Sequence, residues 1–260
     1  MKLRYASVVA GLVASGAIGL VLTARAAEPT QTVKPAISPE ASAALEKMGK
    51  ALSSKEFSFK AQTIRVYQDE DGQPLHIFHT MKVDARRPDR LAVHVTGDDG
   101  STELLYDGKT VAVVGADERK YASIAAPNTI EGTLDEVSDR LGTDFPLADF
   151  LAPTPAKAFL TGVTTGKELK PVTIDGVSCR HFFFTQSPGM ELELWLENTE
   201  QALPRRLIVT YRLLPGQPNF IAEFSDWNLN AHLADAAFTF QPAAGSTKIE
   251  LEPAGAGRNK

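Results

Sequence analysis

The residue pair best suited to chemistry is Cys179 with His181. Two positions apart on a strand, the side chains point to one face, where an imidazole can activate a thiol or the two can form half of a metal site. The competing reading is a small buried thiol beside a hydrogen-bonded histidine. Phe182, Phe183 and Phe184 crowd the position, no second cysteine exists, and a structural zinc needs four ligands. His76 and His79 have H-x-x-H spacing, which makes a metal edge on a helix but sends the side chains to opposite faces of a strand. His94 and His232 have no ligand-like neighbours. Asp69, Asp71 and Gly72 share a fragment of a calcium loop without its third ligand position or closing glutamate, so an acidic turn accounts for them. The run Gly162 to Lys167, GVTTGK, is too short for a phosphate loop and lacks the Ser or Thr after the lysine. No G-x-S-x-G, H-E-x-x-H or paired-cysteine spacing occurs, so the chain reads as a non-enzyme without a cofactor or metal. An enzyme using Cys179 and His181 stays open as an alternative.

The ends of the chain define where these residues work. Lys2 and Arg4 precede an uncharged stretch from Ala6 to Ala24, and Ala24-Arg25-Ala26 follows, the three-part layout of a cleaved secretory signal over residues 1–26. Gly11, Gly16 and Gly19 dilute that run below what a retained membrane anchor favours. Cleavage leaves Ala27 first, with no lipid-bearing cysteine, and the expected destination is the periplasm. It also removes three positive charges and no acid, moving the net charge from -5 to -8. Nucleic acid is thereby excluded as a partner, since phosphate binding needs a basic face. Cys179 is the only cysteine, so packing alone must hold the roughly 230 remaining residues.

The elements that position the candidates follow from periodicity. Residues 27–38 are polar and Pro-containing and read as a flexible tether, after which residues 39–252 form a single β domain, with a polar tail at 253–260. Ser38 and Pro39 open a helix over about 40–53, with Leu45, Met48 and Leu52 at helical spacing. A period of two then begins at Phe57 and Phe59, and Asp99-Gly100 and Asp107-Gly108 mark hairpins of a β-meander. Residues 129–160 interrupt it as a helical insertion, with Thr129 as cap and Ile130, Leu134, Val137 and Leu141 on one stripe. Strands resume near Leu169. Leu192, Leu194 and Leu196 alternate with Glu191, Glu193 and Glu197, and the next strand sets Arg206 and Arg212 against Leu207, Val209, Tyr211 and Leu213, which predicts cross-strand ion pairs on a solvated face. About ten strands and two helical pieces make a mainly β, α+β fold, a large curved antiparallel sheet with a wet and a greasy side.

What remains is apolar. Leu134, Val137, Leu141, Phe150 and Leu151 ride on the insertion as a lid over a cavity lined by Leu192, Leu194, Leu196, Val209 and Tyr211. The alternative is a filled core, because periodicity identifies a covered face and not an empty space behind it.

Several stretches carry a resemblance as a set: Leu105-Tyr106-Asp107-Gly108-Lys109, Phe145-Pro146-Leu147-Ala148-Asp149-Phe150-Leu151, Asp175 to His181, Leu194-Trp195-Leu196-Glu197, Leu203 to Tyr211, and Phe238-Thr239-Phe240-Gln241-Pro242. They resemble the DUF2092 family of uncharacterised predicted periplasmic proteins. More loosely the layout resembles the LolA, LolB and LppX-like lipoprotein-carrier superfamily. That resemblance implies an incomplete barrel whose concave apolar side is closed by helices and binds an acyl chain, lipid or similar amphiphile, as carrier or sensor. It also makes Arg65 a possible position for the strand arginine associated with lipoprotein handover. No exposed hydrophobic loop of the membrane-docking kind stands out. By the same resemblance an envelope protein-interaction or regulatory module, docking a protein partner without a ligand, is the alternative function.

Overall fold

A computed structural model describes residues 36–69, 71–117, 119–142 and 145–250. The signal segment 1–26, the tether up to residue 35 and the tail 253–260 lie outside the described residues. The Ser38 hydroxyl accepts a hydrogen bond from the Ala41 backbone N–H at 3.2 Å, and Pro39 takes the first position of helix α1 (Pro39–Leu52). Ala41, Ala44, Leu45, Met48 and Leu52 form its buried stripe.

From Glu56 the chain alternates. Strands β1 (Glu56–Gln68), β2 (Pro74–Arg86), β3 (Arg90–Gly97), β4 (Gly100–Tyr106), β5 (Thr110–Gly115) and β6 (Lys120–Ala125) follow one another as an antiparallel meander. The insertion folds into α2 (Ile130–Leu141), α3 (Ala148–Leu151) and α4 (Pro155–Phe159). Thr129 caps α2 by accepting from the Gly132 N–H at 3.1 Å, and Gly142 ends it at φ +65, a left-handed position that Gly adopts without steric cost. The second run of strands is β7 (Val163–Glu168), β8 (Val172–Ile174), β9 (Val177–Gln186), β10 (Met190–Glu197), β11 (Pro204–Tyr211) and β12 (Asn219–Asn228). A 3₁₀ turn at Asp235–Phe238 and β13 (Thr247–Lys248) complete the described chain.

The sheet runs β13-β6-β5-β4-β3-β2-β1-β12-β11-β10-β9-β7, with β8 also on β9, and the end strands β13 and β7 do not meet, so it curves without closing into a barrel. Its thirteen strands exceed the roughly ten expected, partly because β8 and β13 span three and two residues, too short for a period of two to register. β13 joins β6 in parallel, the one departure from antiparallel pairing among the named strands. The first and last long strands, β1 and β12, lie side by side, with Ala61 opposite Phe224.

The inner face holds the main core with α1 and the insertion packed on it. The outer face is not uniformly wet. Ala92, Leu105 and Phe238 form one small cluster there, where the 3₁₀ turn covers β3 and β4. Cys179, Trp195 and Ile174 form another. The expected ion pairs are altered accordingly. Arg212 lies 3.6 Å from Glu191, but Arg206 pairs with Glu223 of β12 because its neighbour on β10 is Trp195, whose ring lies 5.4 Å from the guanidinium.

Candidate ligand-binding site

The strand register sorts the inner face into rows that run across β1 to β5. Phe57, Ala85, Leu91, Tyr106 and Val111 are partners in the deepest row, and all five are fully buried. Phe59, Val83, Val93, Leu104 and Val113 form the next, where Val93 and Val113 are only half-buried. The third row is Ala61, Met81, Val95, Thr102 and Gly115, and the fourth is Thr63, His79, Gly97 and Gly100. Bulk falls and polarity rises from row to row, so the space beneath the insertion is filled at one end and empty towards the other. Gly97 matters in the fourth row: a Cβ there would lie 2.5 Å from His79 Cδ2 and 2.2 Å from the Phe78 carbonyl oxygen, so only glycine lets β2 and its histidine ring approach so closely.

The result is a cavity of about 270 Å³ between these rows and a lid made of Leu134, Leu141, Leu147 and Leu151. Phe59 seals the deep end by stacking on Trp227 at 4.4 Å and meeting Phe224 edge-on at 5.8 Å. Arg65, Tyr67, His79 and Asp99 stand at the mouth. His79 Nε2 lies 2.7 Å from Asp99 Oδ1, and the Arg65 guanidinium lies 5.4 Å from the centre of the Phe220 ring. Tyr67 is 48% and Leu141 41% exposed, so the rim itself is partly apolar. An apolar tunnel with a polar, charged entrance accepts a molecule that is apolar at one end and polar at the other.

A second cleft of about 340 Å³ lies on the other side of α3, between it, α4 and strands β9 to β11. Phe145 and Pro146 belong to the walls of both. Of the residues expected to line a cavity, Leu192, Val209, Tyr211 and Phe150 face this second cleft, while Leu134, Leu141 and Leu151 cover the first. Val137, Leu194 and Leu196 face neither; all three are fully buried in the filled core. Sequence reasoning missed the inner positions of β1 to β3, Thr63, Arg65, His79, Met81 and Val95, as cavity wall. The decline from Phe57 and Phe59 through Ala61 and Thr63 to Arg65 was the sequence signal that marked them.

The lid is tied down by Arg87, just past β2. It donates to the Leu151 carbonyl at 2.6 Å, the Leu52 carbonyl at 2.8 Å and the Phe150 carbonyl at 3.2 Å, and lies 5.1 Å from the Phe57 ring centre. Burial without an acid partner lowers its pKa to about 10. Cys179 and His181 lie together on the outer face, away from both cavities. The Cys179 thiol donates to the Val177 carbonyl at 3.5 Å, and burial raises its pKa. His181 stacks on Trp195 at 4.0 Å with Nε2 2.9 Å from Glu193 Oε2. Among the described residues no group of three or more His, Cys, Asp or Glu side chains is arranged to hold a metal ion, and no helix is long and apolar enough to cross a membrane. Leu213, which alternation groups with Leu207, Val209 and Tyr211 on the apolar side of β11, lies past the end of that strand: Leu213 and Leu214, in the turn between β11 and β12, are 72% and 52% exposed.

The sequence pattern of the family described as "Predicted periplasmic protein (DUF2092)" matches residues 41–252, the whole span from α1 to the end of the sheet. The chain belongs to the DUF2092 family. As a member it is a periplasmic protein. No curated protein matches its sequence. Among solved structures it is similar to an uncharacterised conserved protein from Thermus thermophilus, at 10% identity and TM-score 0.47, covering 81% of this chain and 98% of that one. It is also similar to the lipoprotein LppX from Mycobacterium tuberculosis, at 17% identity and TM-score 0.45, covering 76% and 100%. A LolA superfamily protein from Nitrosomonas europaea matches at 13% identity and TM-score 0.38, covering 76% and 96%.

Proposed function

We propose that this DUF2092 protein binds an acyl chain, lipid or similar amphiphile between its sheet and its helices, as a periplasmic carrier or sensor without catalysis. The observation that carries the reading is the row-by-row gradient of the inner face, from sealed apolar floor to charged mouth. The volume of about 270 Å³ equals roughly nine groups of water size at ~30 Å³ each. At ~0.8 kcal/mol per buried methylene, a chain filling it gains about 7 kcal/mol, and association costs at least ~4 kcal/mol of that. A chain confined to the cavity therefore binds weakly, and a longer one gains by continuing past the exposed Tyr67 and Leu141 at the rim. Against catalysis stands the placement of Cys179 and His181, which lie on the sheet face opposite the cavity with their polar atoms engaged.

Organic extraction of the purified full chain followed by lipid mass spectrometry tests this. A bound amphiphile is expected from the native protein and should be absent from Met81→Trp, which plugs the third row while keeping an apolar side chain there. Recovery of no amphiphile, together with no binding of a fluorescent fatty acid, overturns the proposal.

A further inference from the structure

The second cleft differs from the first in its charge. Phe150, Phe159, Leu192 and Val209 make its apolar walls, and among the described residues Asp149 of α3 is the one carboxylate that lines it. Among the described residues no hydrogen-bond donor and no ion-pair partner is found for that carboxylate, and no Lys or Arg lines the cleft. Burial, and secondarily the negative Glu131 on α2, raises the Asp149 pKa. The other polar lining groups do not neutralise it: the Gln186 side-chain amide donates to the Thr161 carbonyl, and Tyr211 on β11 carries no positive charge. Asp149 is partly withdrawn from water among apolar side chains, so its charge gives up some hydration that no neighbouring cation returns.

We propose that this cleft is a second binding site, for an amphiphile with a protonated amine: the ammonium group pairs with Asp149 and the apolar body lies against Phe150, Phe159 and Val209. The commitment to a cation rests on charge complementarity, since Asp149 and Glu131 both repel a carboxylate or phosphate head. Glu131 of α2 acts on Asp149 through its negative charge, and Tyr211 of β11 is the other titratable group among the described residues lining the cleft; the groups lining it from α4, β9 and β10 bring no charge. The cleft lies across α3 from the acyl cavity and shares Phe145 and Pro146 with it.

Calorimetric titration of Met81→Trp, whose first cavity is plugged, with octylamine and with octanoate provides the test. Octylamine should bind roughly ten- to a hundredfold tighter than octanoate, the range of a charge-assisted hydrogen bond. In Asp149→Asn, which keeps shape and hydrogen-bonding capacity but not charge, that preference should vanish. On the native protein, octylamine affinity should fall as pH is lowered through the raised pKa of Asp149. Equal binding of amine and acid, or a preference that survives Asp149→Asn, overturns the assignment. Loss of acyl binding elsewhere does not touch it, because the preference is read with that cavity closed.

Discussion

Replacing Arg87 with alanine should loosen the lid before it unfolds the sheet. One guanidinium joins three chain segments, the end of α1 through the Leu52 carbonyl and the end of α3 through the Phe150 and Leu151 carbonyls, from a position just past β2. Hydrogen bonds to a charged group contribute about 1.5–3 kcal/mol each, but two of the three are short and the third, at 3.2 Å, adds little. Burial of the unpaired cation, seen in its pKa of about 10, offsets part of that gain, and alanine removes this cost as well. The net loss should be about 2–4 kcal/mol, arising mainly from carbonyls left without donors. For a domain of this size each kcal/mol shifts Tm by roughly 2–4 °C, so calorimetry should read a fall of about 4–16 °C. Lysine at the same position should recover only part of it, since a single ammonium cannot span carbonyls on two helices as the planar fork does. Hydrogen exchange locates the effect: amides of α3 and α2 should exchange faster while those of β1, β2 and β12 keep their protection. A Tm within about 2 °C of the native value, less than the shift expected from one kcal/mol, or loss of protection spread evenly over the sheet, would show that Arg87 does not anchor the lid.

Two further changes test the same structure. Asp149→Asn should stabilise the unliganded protein at neutral pH. Burial raises this carboxyl's pKa in the folded state, so its contribution is present below the unfolded pKa and lost as pH rises through the folded one; thermal melts of the native protein and the variant should converge at acid pH and separate above it. Gly97→Ala should cost about 1–3 kcal/mol by overpacking, because the new methyl meets the Phe78 carbonyl at 2.2 Å and the His79 ring at 2.5 Å; a denaturant midpoint equal to the native one would mean that β2 and β3 yield there at no cost.

Local elements were legible because their signals are local. Ser38 with Pro39, and Thr129 with Gly142, bracket α1 and α2 through capping chemistry that acts within a few residues of each helix end. Strands β9 to β11 announce themselves by alternation, and Leu192, Leu194 and Leu196 do share the inner face. The pairing of Arg206 with Glu223 was not legible, since it depends on which strand neighbours β11 on its other side, and β12 lies across a separate hairpin.

The wall of the first cavity on β1 to β5 was illegible for a deeper reason. A regular apolar stripe such as Leu192, Leu194 and Leu196 is what a filled core requires, and its middle and last members are packed solid. Empty space needs the opposite, inner positions that are small or polar. In this fold the third row supplies them at Ala61, Thr102 and Gly115, beside Met81 and Val95, one residue on each of five successive strands. Along any one strand a single alanine or threonine passes for ordinary variation. Only the register aligns them into a row perpendicular to the strands, and register follows from turns and partner choice along the whole meander from β1 to β5. A binding cavity in a meander sheet is thus a property of rows, and the sequence displays columns. The practical signal is a strand whose inward residues lose apolar character in one direction, as β1 does from Phe57 to Arg65, with its hairpin partner doing the same in reverse, from Val83 through Met81 to His79. Where both strands taper towards the same end, the sheet opens there, and a lid placed over that end encloses space that the side chains do not fill.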